Sequence, residues 1–279
     1  MRRSRWAAGL ASAAMAGMAA MGCTSAAGPA PDGQAPDGWD LVLDEGFDGD
    51  TLDQDTWGTC HWWAEDGFCT LSSTGELERY GPDGVDVADG TLRLTARDEP
   101  VTTEDGDRYE YTSGMISSGR ASDDAADEPR FAFTYGYAEA RLRVPSGRGL
   151  WSAFWLLPVT NEPLPEIDVV EVLGDTPSTA RHHFHWALEG RTESEGRDRE
   201  VDDLSAGWHT FAVDWRPGRI IWLVDGEQTW ELSGPAISDE PMYPVINLAV
   251  GGDWPGDPDG STEFPATLEV DHIRVWQQP

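Results

Sequence analysis

Three carboxylates interrupt an otherwise apolar run in the middle of the sequence, Glu166-Ile-Asp-Val-Val-Glu171. On a regular strand Glu166 and Asp168 share a face, whereas Glu171 points to the opposite one. A β-bulge at Val169/Val170 would return Glu171 to the face of Glu166 and keep both valines in the core. The spacing therefore predicts a bulged strand that carries a row of three acids on one face.

Three neighbouring carboxylates repel one another, so one should hold its proton near neutral pH while another stays ionised. Hydrolysis of a glycosidic bond requires this combination. With the bulge on a concave face, we expect the carboxyl groups of Glu166 and Glu171 to lie about 5–6 Å apart. Two other interpretations fit the same spacing: a strand face whose acids lie in water, and a calcium site.

Tryptophans accumulate around the acids. Trp151 and Trp155 lie upstream, Trp186 lies downstream, and Trp254 stands in a glycine-rich segment nearer the C-terminus. Aromatic faces are the usual platforms for the apolar face of a sugar ring, although a single tryptophan more commonly belongs to a core. The tryptophans therefore favour the glycoside interpretation over the other two.

The elements that must position these residues are strands. Short runs with a period of two residues are separated by turn residues, and no stretch holds a helical period for three turns. Alternate residues from Leu92 to Ala96 share one face, Phe131–Tyr135 predicts another strand, and Asp225-Gly226 predicts a tight hairpin turn. Roughly a dozen such strands predict an all-β sandwich of two antiparallel sheets.

The N-terminus has the pattern of a secretory signal peptide over residues 1–22, with a basic start, a short apolar stretch and small residues before Cys23. The apolar stretch is too short to span a membrane. A cysteine directly after a small residue resembles a bacterial lipobox, so we expect Cys23 to be the lipidated first residue of the mature protein. Residues 23–38 predict a flexible tether, and residues 39–279 a single domain.

Cys60 and Cys69 remain as an even pair, which predicts a disulfide in an oxidising compartment. Two free thiols are the alternative, and a zinc site with His61 would have only three ligands in one short loop. We expect an exported protein, held at the outer face of the cell membrane only through a lipid anchor, or secreted.

The net charge of the chain limits the classes of partner that the protein can bind. The chain has 19 Lys and Arg against 51 Asp and Glu, a formal net charge of −32. Such a surface repels polyanions, which excludes nucleic acid as a partner. His183 and His185 can share a strand face, but no third ligand is evident, so we expect no metal site there. The sequence is silent on oligomeric state.

The order of several segments resembles glycoside hydrolase family 16, in particular its bacterial laminarinase-like, endo-β-1,3-glucanase members. The resemblance runs from about residue 39 to the C-terminus and rests on Leu41–Asp48, Tyr111–Gly114, Phe133–Gly136, Gly149–Pro158, Glu166–Glu171, Trp208–Trp215, Ile246–Gly256 and Phe264–Val275. It implies a jelly-roll sandwich with a concave cleft, a polysaccharide substrate, and a retaining mechanism that needs no cofactor.

The same resemblance assigns roles by position in the motif. It implies Glu166 as nucleophile, Glu171 as acid/base, and Asp168 as the acid that hydrogen-bonds and tunes the nucleophile. The implied substrate-binding residues are Trp151, Trp155, His185, Trp254 and Glu76. Many family members also hold calcium on the convex side, where Glu45, Gly90 and Asp271 fall at the matching places.

Two alternatives to β-1,3-glucan hydrolysis stay open. The first is a non-catalytic carbohydrate-binding protein of the same fold, which is disfavoured because binding alone gives no reason for two glutamates and an aspartate at this spacing. The second is the same chemistry on a galactan such as agarose or carrageenan, or transglycosylation. Cleft loops decide between these substrates and reactions.

Overall fold

The computed structural model describes residues 36–63, 69–70, 74–103, 106–122, 124, 126–160, 162–234 and 236–279. The predicted signal peptide, Cys23 and all but the last three residues of the predicted tether lie outside the described residues. Within the described ranges, no helix is both long enough and apolar enough to cross a membrane.

Strands make up nearly all of the regular structure in the described residues, joined by one short 3₁₀ helix at Pro82–Gly84. The strands are β1 (Asp40–Glu45), β2 (Glu78–Tyr80), β3 (Val85–Ala88), β4 (Thr91–Ala96), β5 (Val101–Thr102), β6 (Arg108–Tyr109), β7 (Tyr111–Ser113), β8 (Met115–Ser117), β9 (Gly136–Arg143), β10 (Leu150–Pro158), β11 (Glu166–Leu173), β12 (Thr179–Leu188), β13 (Arg191–Glu200), β14 (His209–Arg216), β15 (Arg219–Val224), β16 (Glu227–Ser233), β17 (Met242–Val250) and β18 (Ala266–Gln277).

Two large antiparallel sheets form the jelly-roll sandwich that the sequence predicts. One contains eight strands in the order β16-β15-β14-β9-β18-β4-β3, with β1 also paired to β18. The other contains six strands in the order β13-β12-β11-β10-β17-β8. The strands that carry the three acids and the upstream tryptophans, β11 and β10, are therefore central neighbours in the six-stranded sheet.

Alternate side chains along each strand fill the space between the two sheets. Phe154 and Leu156 of β10 and Phe211 and Val213 of β14 are fully buried in one continuous core. Burial of each such side chain stabilises the fold by about 1.5–3 kcal/mol. The intervening residues of β10 point to the other face of the six-stranded sheet, so the core fixes which side chains line that outer face.

Local predictions have mixed outcomes. Alternate residues of β4 from Leu92 to Ala96 are buried, and the hairpin turn between β15 and β16 has positive φ at Asp225 (51°) and Gly226 (78°), so both predictions are confirmed. The prediction of a strand over Phe131–Tyr135 is wrong. Only Phe133 forms an isolated bridge there, because the left-handed φ of Tyr135 (56°) breaks the extended run.

Candidate active site

The bulge in β11 is present. In the pairing of β10 with β11, Phe154 lies opposite Val170 and Trp155 lies opposite Asp168, so Val169 has no partner of its own. Val169 and Val170 are both fully buried in the core between the sheets. One extra residue therefore keeps two successive valines inside and returns the strand to its original phase before the third acid.

Two side chains satisfy the main-chain carbonyls that the bulge removes from the ladder. The Nδ1 atom of His182 lies 2.7 Å from the carbonyl oxygen of Val169, and the Nε1 atom of Trp222 donates to the carbonyl oxygen of Asp168 across 2.9 Å. Burial lowers the pKa of His182 to about 4, so the imidazole is neutral and its Nδ1 proton faces Val169. Sequence reasoning missed both residues.

All predicted catalytic and substrate-binding residues line one cleft of about 940 Å³ on the outer face of the six-stranded sheet; they are Glu76, Trp151, Trp155, Glu166, Asp168, Glu171, His185 and Trp254. Glu166 leaves a quarter of its side chain open to the cleft, whereas Asp168 and Glu171 are buried. The structure thus brings the three acids together on one accessible face.

Histidines on β12 contact all three acids. The Nδ1 atom of His183 lies 2.6 Å from Oε2 of Glu171. The Nε2 atom of His185 lies 3.2 Å from Oδ2 of Asp168 and 3.9 Å from Oε1 of Glu166. These contacts follow from the antiparallel register, which places Glu166 opposite His185 and Asp168 opposite His183.

The expectation that His183 and His185 lack a third ligand is wrong. Asp168 offers a carboxylate oxygen, and the ligand atoms of these three residues lie within 4.8 Å of one another. Two imidazoles and a carboxylate suit a transition metal. Sequence reasoning missed the third group because Asp168 lies on β11, and only the register of β11 with β12 brings it to the histidines.

The acids have strongly perturbed protonation. Burial, followed by the charges of Asp168 and Glu171, raises the pKa of Glu166 well above its usual range. Burial and the charge of Asp168 raise the pKa of Glu171 to about 7, against the opposing effect of the hydrogen bond from His183. The acids interact strongly enough to titrate as one cluster that shares its protons. A carboxyl group with a pKa near 7 is suited to general acid/base catalysis at neutral pH.

Aromatic rings stand at the Glu171 side of the cleft. Trp151 and Trp254 meet at right angles with their ring centroids 5.3 Å apart, and Trp254 also contacts the ring of His183 at 5.8 Å. Trp254 is 43% exposed, which is unusual for so large an apolar side chain. This pair therefore offers a free aromatic surface next to Glu171.

A second aromatic wall stands at the Glu166 side, and sequence reasoning missed it. Trp62 and Trp63 line the cleft, and the Nε1 atom of Trp62 donates to the hydroxyl oxygen of Tyr243 across 3.0 Å. Glu166 lies close enough to Tyr243 for its charge to raise the pKa of that phenol, after the larger effect of burial. Only the folded structure shows that the segment holding Trp62 and Trp63 lies over the sheet.

The segment that carries Trp62 and Trp63 is closed by a disulfide. Cys60 and Cys69 are bonded, with their Cα atoms 5.3 Å apart. The bonded pair excludes the alternative zinc site with His61. The ring of His61 instead stacks on Trp63, with centroids 4.3 Å apart, and so supports the second aromatic wall from behind.

The three predicted calcium ligands meet at one junction of the eight-stranded sheet. Strands β4 and β1 pair with the same side of β18, β4 as far as Val270 and β1 from Ile273, which lies opposite Glu45. Asp271 lies in the gap between them, and Gly90 lies in the turn that leads into β4. The carboxylate of Glu45 already accepts hydrogen bonds from Phe47 and Trp57. The Oδ2 atom of Asp271 likewise lies 2.8 Å from Nδ1 of His272 and 3.4 Å from Nη1 of Arg141. A calcium ion would therefore use main-chain carbonyl oxygens of Glu45 and Gly90 and compete with these two side chains for the Asp271 carboxylate.

Comparison with known proteins agrees with this site. The family described as "Glycosyl hydrolases family 16" matches residues 79–273, which include β11 and both its neighbours. The chain belongs to glycosyl hydrolase family 16. The resemblance seen in the sequence is thereby confirmed.

Two curated relatives have names that describe glycan hydrolysis. The chain is 32% identical over 246 residues to the endo-1,3-1,4-beta-glycanase EglC of Rhizobium meliloti, which covers 85% of this chain and 49% of that protein. It is 29% identical over 276 residues to the glucan endo-1,3-beta-glucosidase A1 of Niallia circulans, covering 89% and 39%. The chain thus spans half or less of the length of these two relatives.

Two solved structures have a similar fold. The laminarinase catalytic domain of Thermotoga maritima matches with a TM-score of 0.75 and 31% identity over 86% of this chain and 99% of that one. The endo-beta-1,3-glucanase of Pyrococcus furiosus matches with a TM-score of 0.74 and 30% identity, over 86% and 94%.

Proposed function

We propose that this family 16 protein is a retaining endo-glycosidase that hydrolyses a β-1,3-linked glucan, with Glu166 as nucleophile and Glu171 as acid/base. The observation that carries the proposal is the bulge at Val169, because it puts both glutamates on the face that lines the cleft. A regular strand would separate them and leave no pair to act on one glycosidic bond.

The reaction proceeds by double displacement. The acids share their protons, and the reactive form of the cluster is the one in which Glu166 is ionised and Glu171 is protonated. In that form the Glu166 carboxylate forms a bond to the anomeric carbon as the glycosidic C–O bond breaks, and Glu171 gives its proton to the departing oxygen. Glu171, now ionised, then takes a proton from water, whose oxygen displaces Glu166 from the same carbon. Two inversions restore the β configuration, and the second step leaves both residues in their starting protonation states.

Asp168 and the histidines prepare the acids for this cycle. Asp168 lies between the glutamates in the chain, and its negative charge raises the pKa of both neighbours. His183 donates toward Glu171 and lowers the pKa of that carboxyl, which lets Glu171 release its proton and recover it within one turnover. The Nε2 atom of His185 lies near both Asp168 (3.2 Å) and Glu166 (3.9 Å), so the imidazole stands at the Glu166 side of the cluster.

Aromatic surfaces on both sides of the acids support endo action. The Trp151/Trp254 pair stands beside Glu171, and the Trp62/Trp63 wall stands beside Glu166. Sugar rings stacked on both walls would place an internal linkage over the acids, as an endo-acting enzyme needs.

The β-1,3 linkage is proposed from the relatives: the Niallia circulans protein is named for a 1,3-linked glucan, and the Rhizobium meliloti protein for 1,3 and 1,4 linkages. A galactan substrate is the second candidate, because a keratan-sulfate endo-1,4-beta-galactosidase of Sphingobacterium multivorum is 27% identical over 218 residues. The test is the product profile on laminarin, mixed-linkage glucan, agarose, carrageenan and keratan sulfate. Oligosaccharides of intermediate length from laminarin support the proposal. Binding of laminarin without products would instead favour a non-catalytic carbohydrate-binding protein.

We also propose that the protein is exported and tethered through a lipid on Cys23. Basic residues, a short apolar stretch and small residues precede this cysteine in the sequence. Mass spectrometry of the mature N-terminus tests this. A diacylated Cys23 supports the anchor, whereas soluble protein that begins elsewhere contradicts it.

A structural calcium ion at the junction of β1, β4 and β18 is a further proposal. An ion that binds only the folded state raises the melting temperature. We expect calcium to raise the Tm of EGTA-treated protein, and Asp271→Ala to abolish that rise, with Asp86→Ala on the exposed face of β3 as control. An equal rise in the Asp271 variant would contradict this site.

A further inference from the structure

A second carboxyl pair lies at the edge of the cleft, formed by Glu76 and Glu78. Glu78 on β2 is fully buried, and its Oε2 atom accepts a hydrogen bond from the main-chain N–H of Val250 across 2.7 Å. Glu76 is buried but lines the cleft, and it accepts hydrogen bonds from the hydroxyl groups of Thr74 (2.7 Å) and Tyr80 (3.3 Å). The side chains of the two acids also interact with each other.

Two adjacent buried carboxyl groups cannot both be ionised near neutral pH. Burial, the charge of Glu76 and the hydrogen bond with Glu76 raise the pKa of Glu78 well above its usual range. Glu76 has two hydroxyl donors, which stabilise an anion. The proton therefore resides on Glu78, and Glu76 carries the charge.

A directed chain of hydrogen bonds leads from Glu76 to a tryptophan of the cleft. The indole N–H of Trp155 donates to Oδ1 of Asn247 (2.8 Å), whose Nδ2 donates to the hydroxyl oxygen of Tyr80 (2.9 Å). The Tyr80 hydroxyl in turn donates to Oε2 of Glu76. Every donor points toward Glu76, so the chain is strongest with an anionic acceptor at that end.

We propose that Glu78 is a positioning residue, held as a neutral acid so that Glu76 can remain the anionic end of the chain that orients Trp155. Ionisation of Glu78 would place a second negative charge beside Glu76. The repulsion would displace the Glu76 carboxylate or the Tyr80 hydroxyl proton from its position in the chain. The inference rests on the proposed function only in taking Trp155 to face a sugar.

The groups around Glu78 determine which titration can change the chain of hydrogen bonds to Trp155. On its own segment the charged or titratable neighbours are Glu76, Arg79 and Tyr80. Burial raises the pKa of Tyr80 far above neutral. Strand β7 places Tyr111 beside Glu78 in register, and β17 contributes the uncharged Val250 N–H. Glu78 is thus the group of this pair that holds its proton well above the usual carboxyl range.

The first test is the pH dependence of stability. A carboxyl group with a raised folded-state pKa keeps its proton after the unfolded chain has lost it, so stability falls as pH rises above about 4.5, up to tenfold in the folding constant per pH unit. Glu78→Gln keeps the shape and cannot ionise, so its Tm should fall less than that of the wild type between pH 5 and 8.5. Glu227→Gln, at an exposed site, is the control and should follow the wild type.

The second test measures binding, which a merely structural role would not move. Glu171→Gln removes turnover and the titration of the acid/base, so tryptophan fluorescence can report the Kd for laminarihexaose at each pH. Glu166 and His183 titrate in both variants, so the comparison between them isolates Glu78. We expect the Kd to weaken more steeply with rising pH in Glu171→Gln than in Glu171→Gln/Glu78→Gln. Equal pH dependence of both variants would overturn the inference and leave the proposed function intact. Failure of both to bind at pH 5.5 would instead contradict the proposed function.

Discussion

The Nδ1 atom of His182 lies 2.7 Å from the carbonyl oxygen of Val169, and this contact pins the bulge on which the alignment of the acids depends. The Nε2 atom of the same ring lies 2.9 Å from the hydroxyl oxygen of Thr229 on β16, in the opposite sheet. The imidazole thus connects the bulge to the other layer of the sandwich, and a buried carbonyl that the ladder cannot satisfy obtains a donor.

Replacing His182 by Ala should destabilise the fold and misplace the acids. Leaving the buried Val169 carbonyl unsatisfied costs about 1–3 kcal/mol, or roughly 2–4 °C in Tm per kcal/mol for a domain of this size. We expect kcat to fall along with Tm, as measured by calorimetry and by reducing-sugar release. Thr229→Val is the matched control, because it removes the outer contact and leaves the Val169 bond. A His182 variant with wild-type kcat would show that the bulge forms without the imidazole contact.

His183 should set the alkaline limit of activity. Its hydrogen bond lowers the pKa of Glu171, so His183→Leu, which removes the bond while keeping the site apolar, should raise that pKa. The first step needs Glu171 protonated, and activity declines as this proton is lost. The alkaline limb of the kcat/KM profile should therefore move to higher pH. A move to lower pH would contradict the assigned direction.

Glu166→Ala should reduce turnover of laminarin by about 10⁴-fold or more, because no covalent intermediate can form. A small anion can occupy the space left by the carboxylate, so added azide should restore part of the activity. The product should be a glycosyl azide of inverted configuration, identified by NMR. Absence of rescue together with retained wild-type turnover would exclude Glu166 as the nucleophile.

Glu171→Ala should behave differently on two classes of substrate. On laminarin, loss of the general acid should cost about 10²–10⁴-fold in rate. An aryl glycoside with a good leaving group needs no proton, so glycosyl-enzyme formation from it should persist as a burst of the phenol. If the Glu166 and Glu171 variants lose activity equally on both substrates, the assignment of separate roles is wrong.

The bulge was predictable from the sequence because two successive valines between acids leave few other ways to bury apolar side chains and expose carboxylates. The contacts that hold it were not predictable. His182 and Trp222 find their carbonyl partners 13 and 54 residues away, through sheet register and packing between layers that no local pattern contains.

The two aromatic walls of the cleft also differ in whether the sequence predicts them. Trp151 and Trp254 could be predicted from their family positions, whereas Trp62 and Trp63 lie in a disulfide-closed segment whose course over the sheet depends on distant partners such as Tyr243. The wrong prediction of a strand at Phe131–Tyr135 has a different cause. The aromatic residues of this segment pack against Trp215, with ring centroids 5.8 Å from Phe133 and 5.1 Å from Tyr135. The left-handed φ of Tyr135 limits the pairing to the single bridge at Phe133.

The stereochemistry of the first-formed product tests the central claim most directly. If Glu166 and Glu171 act together from one face of the bulged strand, proton NMR during laminarin hydrolysis should show the β anomer of the new reducing end first, with the α anomer appearing only by mutarotation. First appearance of the α anomer would mean a single displacement by water. That result would contradict the role of Glu166 as nucleophile and the retaining mechanism as a whole.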